Sequence, residues 1–209
     1  MYVRVTSVRS APDKLEQGIA AFEQQVVTAI RQQPGYMGAV LSVNRDTGEA
    51  SGITYWDTLD ALNASEQLST RRRVEATGGV GAAVMDVDRF EVVIMQRAAG
   101  VTEARSGTVV RMNELYARPE NADAAIAFMR ERASVVLEQK GCRAIVMGVN
   151  RMTGRSFVTS VWETAADREA SEAAVAGLRK EAGEVAGGQA TVTLGEVAFA
   201  ELKQTAPIG

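Results

Sequence analysis

An internal repeat constrains this chain more than any other feature of its sequence. Residues 43–66, VNRDTGEASGITYWDTLDALNASE, are matched by residues 149–172, VNRMTGRSFVTSVWETAADREASE, at a constant offset of 106 positions. Ten of the 24 positions are identical, whereas ordinary composition would give roughly one or two matches by chance. We therefore interpret the chain as one structural unit that is written twice.

Length and charge fit two ordinary domains. The 209 residues divide into two segments of about 100 residues, which is close to the commonest domain size. The composition, 46% hydrophobic and 23% charged, is typical of globular proteins. The net charge of −3 gives no broad basic field, and the basic run Arg71–Arg73 is predicted to lie on a solvated helix face. We therefore expect no nucleic acid partner.

The cysteine and histidine counts limit the chemistry that is available. Cys142 is the only cysteine and there is no histidine. The chain therefore lacks the usual haem ligand, the commonest metal ligand and the commonest general base. We expect no metal and no cofactor, and we expect Cys142 to be a small core residue rather than a nucleophile.

The same features predict a cytoplasmic protein. A lone cysteine suits a reducing compartment. The segment after Met1 does not have the basic and apolar regions of a signal peptide. No apolar run approaches the roughly 18 residues of a spanning helix, so we expect no membrane partner.

The first half is predicted to fold in the order βαββαβ. Apolar residues at helical spacing follow Pro12, residues 44–48 form a hairpin turn, and Asp57 or Thr58 caps a second helix. This second helix is expected to direct three leucines inward: Leu59, Leu62 and Leu68. The predicted strands are residues 2–9, 36–43, 51–56 and 90–96.

The second half repeats this order. Its helices begin near Pro119 and at Thr164, and the latter is predicted to run without a break to Ala186. Its predicted strands are residues 108–115, 142–149, 156–162 and 191–202. The predicted domains are therefore residues 1–97 and 108–203, with a linker at 98–107 and a tail at 204–209.

Each half is thus a ferredoxin-like unit, in which a four-stranded antiparallel sheet carries two helices on one face. The other sheet face is partly apolar, and two such faces can cover each other. Fusion of the halves makes that pairing intramolecular. We predict an α+β fold in which two tandem ferredoxin-like units form a pseudo-dimeric barrel of eight strands.

This order, with a tryptophan closing the third strand and a short helix after it, resembles the antibiotic biosynthesis monooxygenase family of the dimeric α+β barrel superfamily. The resemblance is carried by YWDTLDALNASE and VWETAADREASE and covers nearly the whole chain. It implies the barrel fold. It leaves the activity open, because the superfamily includes oxygenases, haem-degrading enzymes, stress proteins and plain binders.

The resemblance implies site residues that are only partly present. In the cofactor-free monooxygenases the tryptophan matches Trp56 and Trp162, with an asparagine four residues before it and a tyrosine six after it. Those two positions are Gly52 and Leu62 in the first half and Val158 and Arg168 in the second.

Haem degradation is not expected. The haem-degrading members need an asparagine in the first strand, a tryptophan in the second helix and a histidine ligand. Asn113 matches the asparagine in the second half, where Thr6 stands in the first. Alanine and glutamate occupy the other positions, which are Ala64, Ala170, Glu75 and Glu181.

Each candidate side chain has a structural alternative. Trp56 and Trp162 either anchor a helix and donate to a backbone carbonyl, or contact a ligand. Asn113 is unusual in an apolar strand and either lies at an edge or in the barrel interior, or binds a ligand. Glu114 is a candidate base if it is buried.

Other polar residues are assigned structural roles. The repeated pairs Asn44-Arg45 and Asn150-Arg151 are attributed to turn chemistry. Glu66 and Glu172 are expected to face solvent.

We therefore predict a cofactor-independent monooxygenase-like protein acting on a small apolar or aromatic substrate. The predicted catalytic residues are Asn113, Trp162 and Tyr116, and the predicted ligand-binding residues are Trp56, Tyr55 and Arg111. The alternative is a non-catalytic small-ligand-binding or stress-related protein. In either case the chain is expected to be a monomeric pseudo-dimer or a homodimer.

Overall fold

The computed structural model describes residues 1–203, so the predicted tail 204–209 lies outside the described residues. The chain divides into two compact units. The first unit contains residues 1–89, 103–107 and the described chain from residue 195 on; the second contains residues 90–102 and 108–194. Each predicted domain is one continuous segment. The two units instead exchange chain ends, since residues 90–102 belong to the second unit and the described residues from 195 on belong to the first.

The first unit begins with an alternating strand, because every second residue of an extended chain points to the same side of the sheet. Val3 and Val5 are accordingly buried. The elements of this unit are β1 Tyr2–Arg9, α1 Leu15–Ala21, α2 Thr28–Ile30, β2 Tyr36–Asn44, β3 Glu49–Trp56, α3 Leu59–Ala64, α4 Glu66–Val80 and the first part of β4 Ala83–Arg97.

The first helical segment is not uniform. The sequence predicts one continuous apolar stripe, but a 3₁₀ turn at Pro12–Lys14 precedes α1, and Phe22–Val27 form a π-helical turn before α2. Phe22 at the start of that turn packs edge to face against Phe199, with ring centroids 6.0 Å apart. Because π turns are rare and occur often at functional sites, this segment is a candidate part of a functional site.

The hairpin between β2 and β3 is made by the predicted turn chemistry. The side-chain oxygen of Asn44 accepts from the backbone N–H groups of Asp46 and Thr47 at 3.0 and 3.2 Å. Gly48 adopts a positive φ of 72°, and a Cβ there would lie 2.0 Å from the carbonyl oxygen of Ser10. Glycine is therefore required for this turn.

The second helical region of the first unit is capped by Thr58, whose hydroxyl accepts from the N–H of Ala61 at 3.1 Å. Leu62 is fully buried, as predicted. The inward orientation predicted for Leu59 is wrong, since this residue opens the helix and is 43% exposed. The next helix, α4, extends past the predicted stop at 77–79 and ends where Gly81 takes a φ of 67°.

The second unit repeats this architecture. Its elements are β5 Val109–Tyr116, α5 Ala122–Leu137, β6 Cys142–Val149, β7 Arg155–Trp162, α6 Ala165–Ala170, α7 Glu172–Ala186 and the first part of β8 Ala190–Leu202. The single helix predicted for 164–186 is wrong, because α6 and α7 are separate. The break is at Ser171, whose hydroxyl donates to the carbonyl of Arg168 at 2.7 Å.

The last strand of the first half is longer than predicted, whereas that of the second half matches the predicted 191–202 to within one residue. β4 has 15 residues and β8 has 13. The end of β4 pairs with β6, with Glu91 opposite Val149 and Arg97 opposite Ala144. The end of β8 pairs with β2, with Gly38 opposite Leu202. Each long strand therefore begins in one unit and ends in the other.

The strands are hydrogen-bonded in the closed order β1-β3-β2-β8-β5-β7-β6-β4. This confirms the predicted α+β fold, a pseudo-dimeric barrel made from two ferredoxin-like units. Each unit has its own core between helices and sheet, around Trp56 in the first and Trp162 in the second, and both rings are fully buried. Among residues 1–203, no helix combines the length and apolar character needed to cross a membrane.

Candidate functional site

Each unit contains a pocket between its helices and its sheet. The pocket of the first unit has a volume of about 90 Å³ and that of the second about 70 Å³. Their linings correspond at an offset of 106 or 107 residues, so the pockets are copies of one another. Corresponding lining pairs are Arg4 and Arg111, Thr6 and Asn113, Gly18 and Ala125, Phe22 and Met129, Gly52 and Val158, and Arg73 and Arg179.

The apolar part of the first pocket explains why the expected asparagine is missing. A Cβ on Gly52 would lie 2.9 Å from Cε2 of Phe22, which is shorter than an ordinary contact. The phenyl ring therefore takes the space that a side chain at position 52 would need. In the second unit the corresponding lining residues are Met129 and Val158, so position 158 carries a side chain where position 52 does not.

The polar end of the first pocket is built around Arg4, which is 2% exposed. Its Nη1 donates to Ser69 at 2.9 Å, and its Nη2 donates to the carbonyl of Leu62 at 2.9 Å and to Glu66 at 2.8 Å. Ser65 accepts from both terminal nitrogens at 3.2 Å. Burial lowers the pKa of Arg4, and Glu66 opposes that effect.

The second pocket carries the same arrangement around Arg111, which is 4% exposed. Its guanidinium donates to Ser171 at 3.0 Å and to the carbonyl of Arg168 at 2.5 Å, and pairs with Glu172 at 2.9 Å. Burial lowers the pKa of Arg111 too. A buried arginine held by a helix break and a carboxylate is thus a duplicated feature of this chain.

Asn113 lies in the lining of the second pocket, beside Arg111. Its side-chain oxygen accepts from Nε of Arg179 at 2.8 Å, and its amide donates to the carbonyl of Val158 at 3.3 Å. Arg179 in turn donates to both oxygens of Glu172 at 3.0 and 3.1 Å. Asn113 therefore links the pocket wall to the charged network.

The two tryptophans stand behind the pockets and do not line them. The indole N–H of Trp56 donates to the hydroxyl of Thr54 at 3.1 Å, and that of Trp162 donates to Ser160 at 2.9 Å. The predicted backbone carbonyl acceptor is therefore wrong. The guanidinium carbon of Arg111 lies 5.7 Å from the Trp162 ring centroid, which is a cation–π distance.

The remaining predicted residues lie away from the pockets. Tyr55 is buried on the sheet face opposite Thr54, and burial raises the pKa of its phenol, so it stays protonated. Tyr116 is 58% exposed, with the guanidinium of Arg155 4.9 Å from its ring. Glu114 alternates with Asn113 and therefore faces away from the second pocket. Of the predicted set, the structure places Asn113 and Arg111 in one pocket.

Glu66 and Glu172 were expected to face solvent; their side chains are 33% and 47% exposed, and both also form ion pairs with buried arginines. Glu66 pairs with Arg4, Arg73 and Arg89 at 2.8, 3.8 and 2.9 Å. Burial alone would raise the pKa of Glu66, but the hydrogen bond from Thr70 and the charges of Arg4 and Arg89 together lower it. The repeated triplet ASE, at 64–66 and 170–172, was the sequence signal for this network.

The basic run also has a structural role. Arg73 lines the first pocket and its side chain is 14% exposed, so a solvated face is the wrong description of this residue. The sequence signal was its equivalence with Arg179, which lines the second pocket.

Neither pocket offers an acid or a base of its own. No aspartate, glutamate or histidine is among the side chains that line them in the described chain. Within residues 1–203 there is also no group of three or more histidine, cysteine, aspartate or glutamate side chains that could hold a metal. Cys142 is buried, and burial raises the pKa of its thiol to about 11.

Comparison with known proteins assigns the fold to a family. A family model described as antibiotic biosynthesis monooxygenase matches residues 1–76 and 108–176, one segment in each half. An uncharacterized protein of Mycobacterium tuberculosis (strain H37Rv) is 26% identical over 194 residues, which cover 88% of this chain and 82% of the relative. A second uncharacterized protein of the same strain is 26% identical over 160 residues, covering 70% and 66%.

Solved structures show the same fold. An anthrone oxidase-like protein superposes with a TM-score of 0.72 at 15% identity, covering 96% of this chain and 93% of the other. A candidate monooxygenase from Fusobacterium nucleatum also gives a TM-score of 0.72, at 14% identity with 99% and 96% coverage. At such low identities these matches bear on the fold alone.

Proposed function

This chain belongs to the antibiotic biosynthesis monooxygenase family, and from that premise we propose that it oxygenates a small, largely apolar aromatic substrate without a cofactor. The pocket of the second unit is the proposed active site. One observation carries the proposal: this apolar pocket ends in two guanidinium groups and an amide, from Arg111, Arg179 and Asn113.

The apolar side chains select the body of the substrate. Met129, Ile145, Met147, Val175 and Leu178 line most of the pocket. Its volume of about 70 Å³ is about half that of an apolar cavity of about 150 Å³ that takes up benzene, so the proposed substrate has a single ring at most and the pocket widens when it binds. Such a lining excludes water and admits molecular oxygen, which is itself apolar.

The guanidinium groups favour an ionised substrate oxygen. Arg111 is almost fully buried, and a positive charge acts more strongly at short range in a buried site than in water. A phenol or enol that binds beside Arg111 and Arg179 therefore has its pKa lowered. This matters because the described lining supplies no base, so the substrate must ionise to solvent while it binds.

The ionised substrate then reacts with oxygen directly. In the proposed reaction an activated methylene becomes a carbonyl, R₂CH₂ + O₂ → R₂C=O + H₂O. One oxygen atom forms the new bond to carbon, the O–O bond breaks, and the other oxygen leaves as water with the two substrate hydrogens. The carbon loses four electrons and the two oxygen atoms gain them. The name of the anthrone oxidase-like neighbour, which shares the fold, is the reason for choosing this reaction class for the proposal.

The predicted catalytic residues take different roles in this proposal. Asn113 and Arg111 contact the substrate oxygen. Trp162 is a positioning residue, since it packs against Arg111 and donates to Ser160. Tyr116 is too exposed to take part.

A non-catalytic binder is the second candidate. It is favoured by Gly52 and Val158, which replace the asparagine that the resemblance implies. A binder would retain the aromatic ligand and consume no oxygen, so the same assay separates the two candidates.

The test is oxygen consumption with a panel of single-ring hydroxyaromatics that carry an activated methylene group. Losing one donor to a developing oxyanion typically costs about 10²- to 10³-fold in turnover, so we expect a fall of that order in Arg111→Gln and a smaller one in Asn113→Ala. Tyr116→Phe and Thr6→Ala, the latter at the position matching Asn113, are the controls and should keep the wild-type rate. Equal rates in all four variants would remove this assignment, and ligand binding without oxygen uptake would establish the binder.

A further inference from the structure

The proposed reaction leaves the pocket of the first unit unexplained, although it is the larger of the two. Arg4 lines this pocket and is 2% exposed, yet its Nε–H has no hydrogen-bond acceptor. A buried donor without a partner is costly, so such groups usually have an occupant that satisfies them.

This unpaired donor differs from the others in the described chain. The buried side-chain atoms without a partner also include the Tyr36 hydroxyl, Nε of Arg72 and the Thr159 hydroxyl. None of those three residues lines either pocket. Arg4 is therefore the case in which an unsatisfied donor and a cavity coincide.

The charge around Arg4 favours an anion. Glu66 is shared among Arg4, Arg73 and Arg89, and Arg73 also lines the pocket. The contact between Arg73 and Glu66 is long, at 3.8 Å. The described lining contains two arginines and no carboxylate, and Glu66, which pairs with both, also pairs with Arg89 and so does not neutralise them fully.

The rest of the pocket favours an aromatic or compact aliphatic body. Its walls are Phe22, Val26, Ile30, Leu41 and Val43. The volume of about 90 Å³ is smaller than the benzene-binding cavity of about 150 Å³, so a substituted ring fits only if it also uses the open side of the pocket. One side remains roomy, because a Cβ on Gly18 would meet nothing within 4 Å.

We propose that the pocket of the first unit is a binding site for a small aromatic carboxylate. A carboxylate oxygen accepts from Nε of Arg4 and lies within the field of Arg73, and the ring packs against Phe22 and Val26. This site is separate from the proposed active site and does not depend on the proposed function. Thr6 stands where the second unit has Asn113, so the amide that ties Arg179 in the second pocket is absent here.

Charged and neutral isosteres test the proposal directly. The full-length protein is titrated calorimetrically with 4-methylbenzoate, 4-methylbenzamide and toluene at pH 7, in a buffer free of carboxylates. Hydrogen bonds to charged groups are roughly twice as strong as neutral ones, so we expect 4-methylbenzoate to bind about tenfold more tightly than the amide. Equal affinities, or no binding of any probe, would overturn the proposal and leave water as the occupant.

Two variants locate the site. Arg4→Gln should abolish the preference for the acid over the amide. Gly18→Phe should block all three probes by filling the pocket; because it does not touch the ion pairs, it remains informative if Arg4→Gln fails to fold. Ala125→Phe, at the corresponding position of the second unit, is the control and should leave 4-methylbenzoate binding unchanged. Loss of binding in Ala125→Phe but not in Gly18→Phe would contradict the assignment.

Discussion

At the scale of single residues, the chain is organised by a buried arginine that appears twice. Arg4 and Arg111 sit at the same place in their first strands, and each reaches a serine at a helix break and the glutamate that follows it. An arginine is suited to this task because its planar fork can satisfy several acceptors at once. The buried cation thereby fixes the helix break against the sheet.

The Glu66 ion pair predicts a specific dependence of stability on pH. The folded-state pKa of Glu66 is lowered from its ordinary value of 4.5, so its contribution is complete above that pH and is lost as the pH falls through the folded pKa. Breaking a buried pair costs about 3–5 kcal/mol, and since a third of Glu66 is exposed we expect about 1–3 kcal/mol for Glu66→Gln at pH 7.

Urea denaturation between pH 3 and pH 7 measures this effect. The difference between Glu66→Gln and wild type should shrink below pH 4.5. Glu172→Gln is the matched variant, and its cost should be smaller because Glu172 is 47% exposed. A difference that does not change with pH would contradict the role given to Glu66.

Residue-level features were the hardest to foresee from the sequence. The repeat identified Ser65 and Glu66 as special, because both recur in the second half. It did not reveal their partner, since Arg4 lies 61 positions from Ser65 and no local pattern links them. Asn113 was recognised because a polar amide in an apolar strand is conspicuous. Arg111 was named as a ligand-binding residue, but its equivalent Arg4 was overlooked because a strand arginine looks like an exposed residue.

At the scale of elements, hairpins and helix caps were predictable, and interruptions were not. The turn at Asn44 and the cap at Thr58 follow from local side-chain chemistry, so the sequence suffices. The π turn at Phe22–Val27 and the break at Ser171 occur where tertiary packing overrides a continuous helical pattern. The fourth strand was predicted from residue 90 but begins at Ala83, since Asp86 and Asp88 interrupt the apolar character of its first part.

The π turn predicts coupling between Phe22 and Gly52. Gly52→Asn restores the residue type that the resemblance implies, but its Cβ would meet the Phe22 ring at 2.9 Å. Overpacking of this kind costs about 1–3 kcal/mol. Phe22→Leu should relieve the overlap, so that the double variant is more stable than the sum of the single effects predicts.

A double-mutant cycle by urea denaturation tests this coupling. Val158→Asn in the second unit is the control, because that position already carries a side chain and should show no coupling to Phe22. Strictly additive effects of Gly52→Asn and Phe22→Leu would mean that the ring does not occupy the space above Gly52.

At the scale of the whole molecule, the repeat accounts for the fold class but not for which chain segments make up each compact unit. Two ferredoxin-like halves follow from the periodic pattern and the offset of 106 residues. The exchange of strand ends does not, since it depends on β4 and β8 being long enough to pair with strands of both halves. The length of β8 was predicted to within one residue, whereas the length of β4 and the partners of both strand ends were not.

This exchange predicts that neither half is stable as an isolated monomer. A fragment of residues 1–107 lacks the end of β8, so β2 would lose the partner that spans Gly38–Val43. The end of its β4 would in turn lack β6. Unpaired edges promote association, so we expect each fragment to self-associate and a mixture of 1–107 and 108–209 to form a 1:1 complex. Light scattering after size-exclusion chromatography measures the mass of the self-associated fragments and of the 1:1 complex, with the intact chain as the reference. A folded, monomeric 1–107 fragment would show that the exchanged strand ends are dispensable, and that the duplication joined two units already stable on their own.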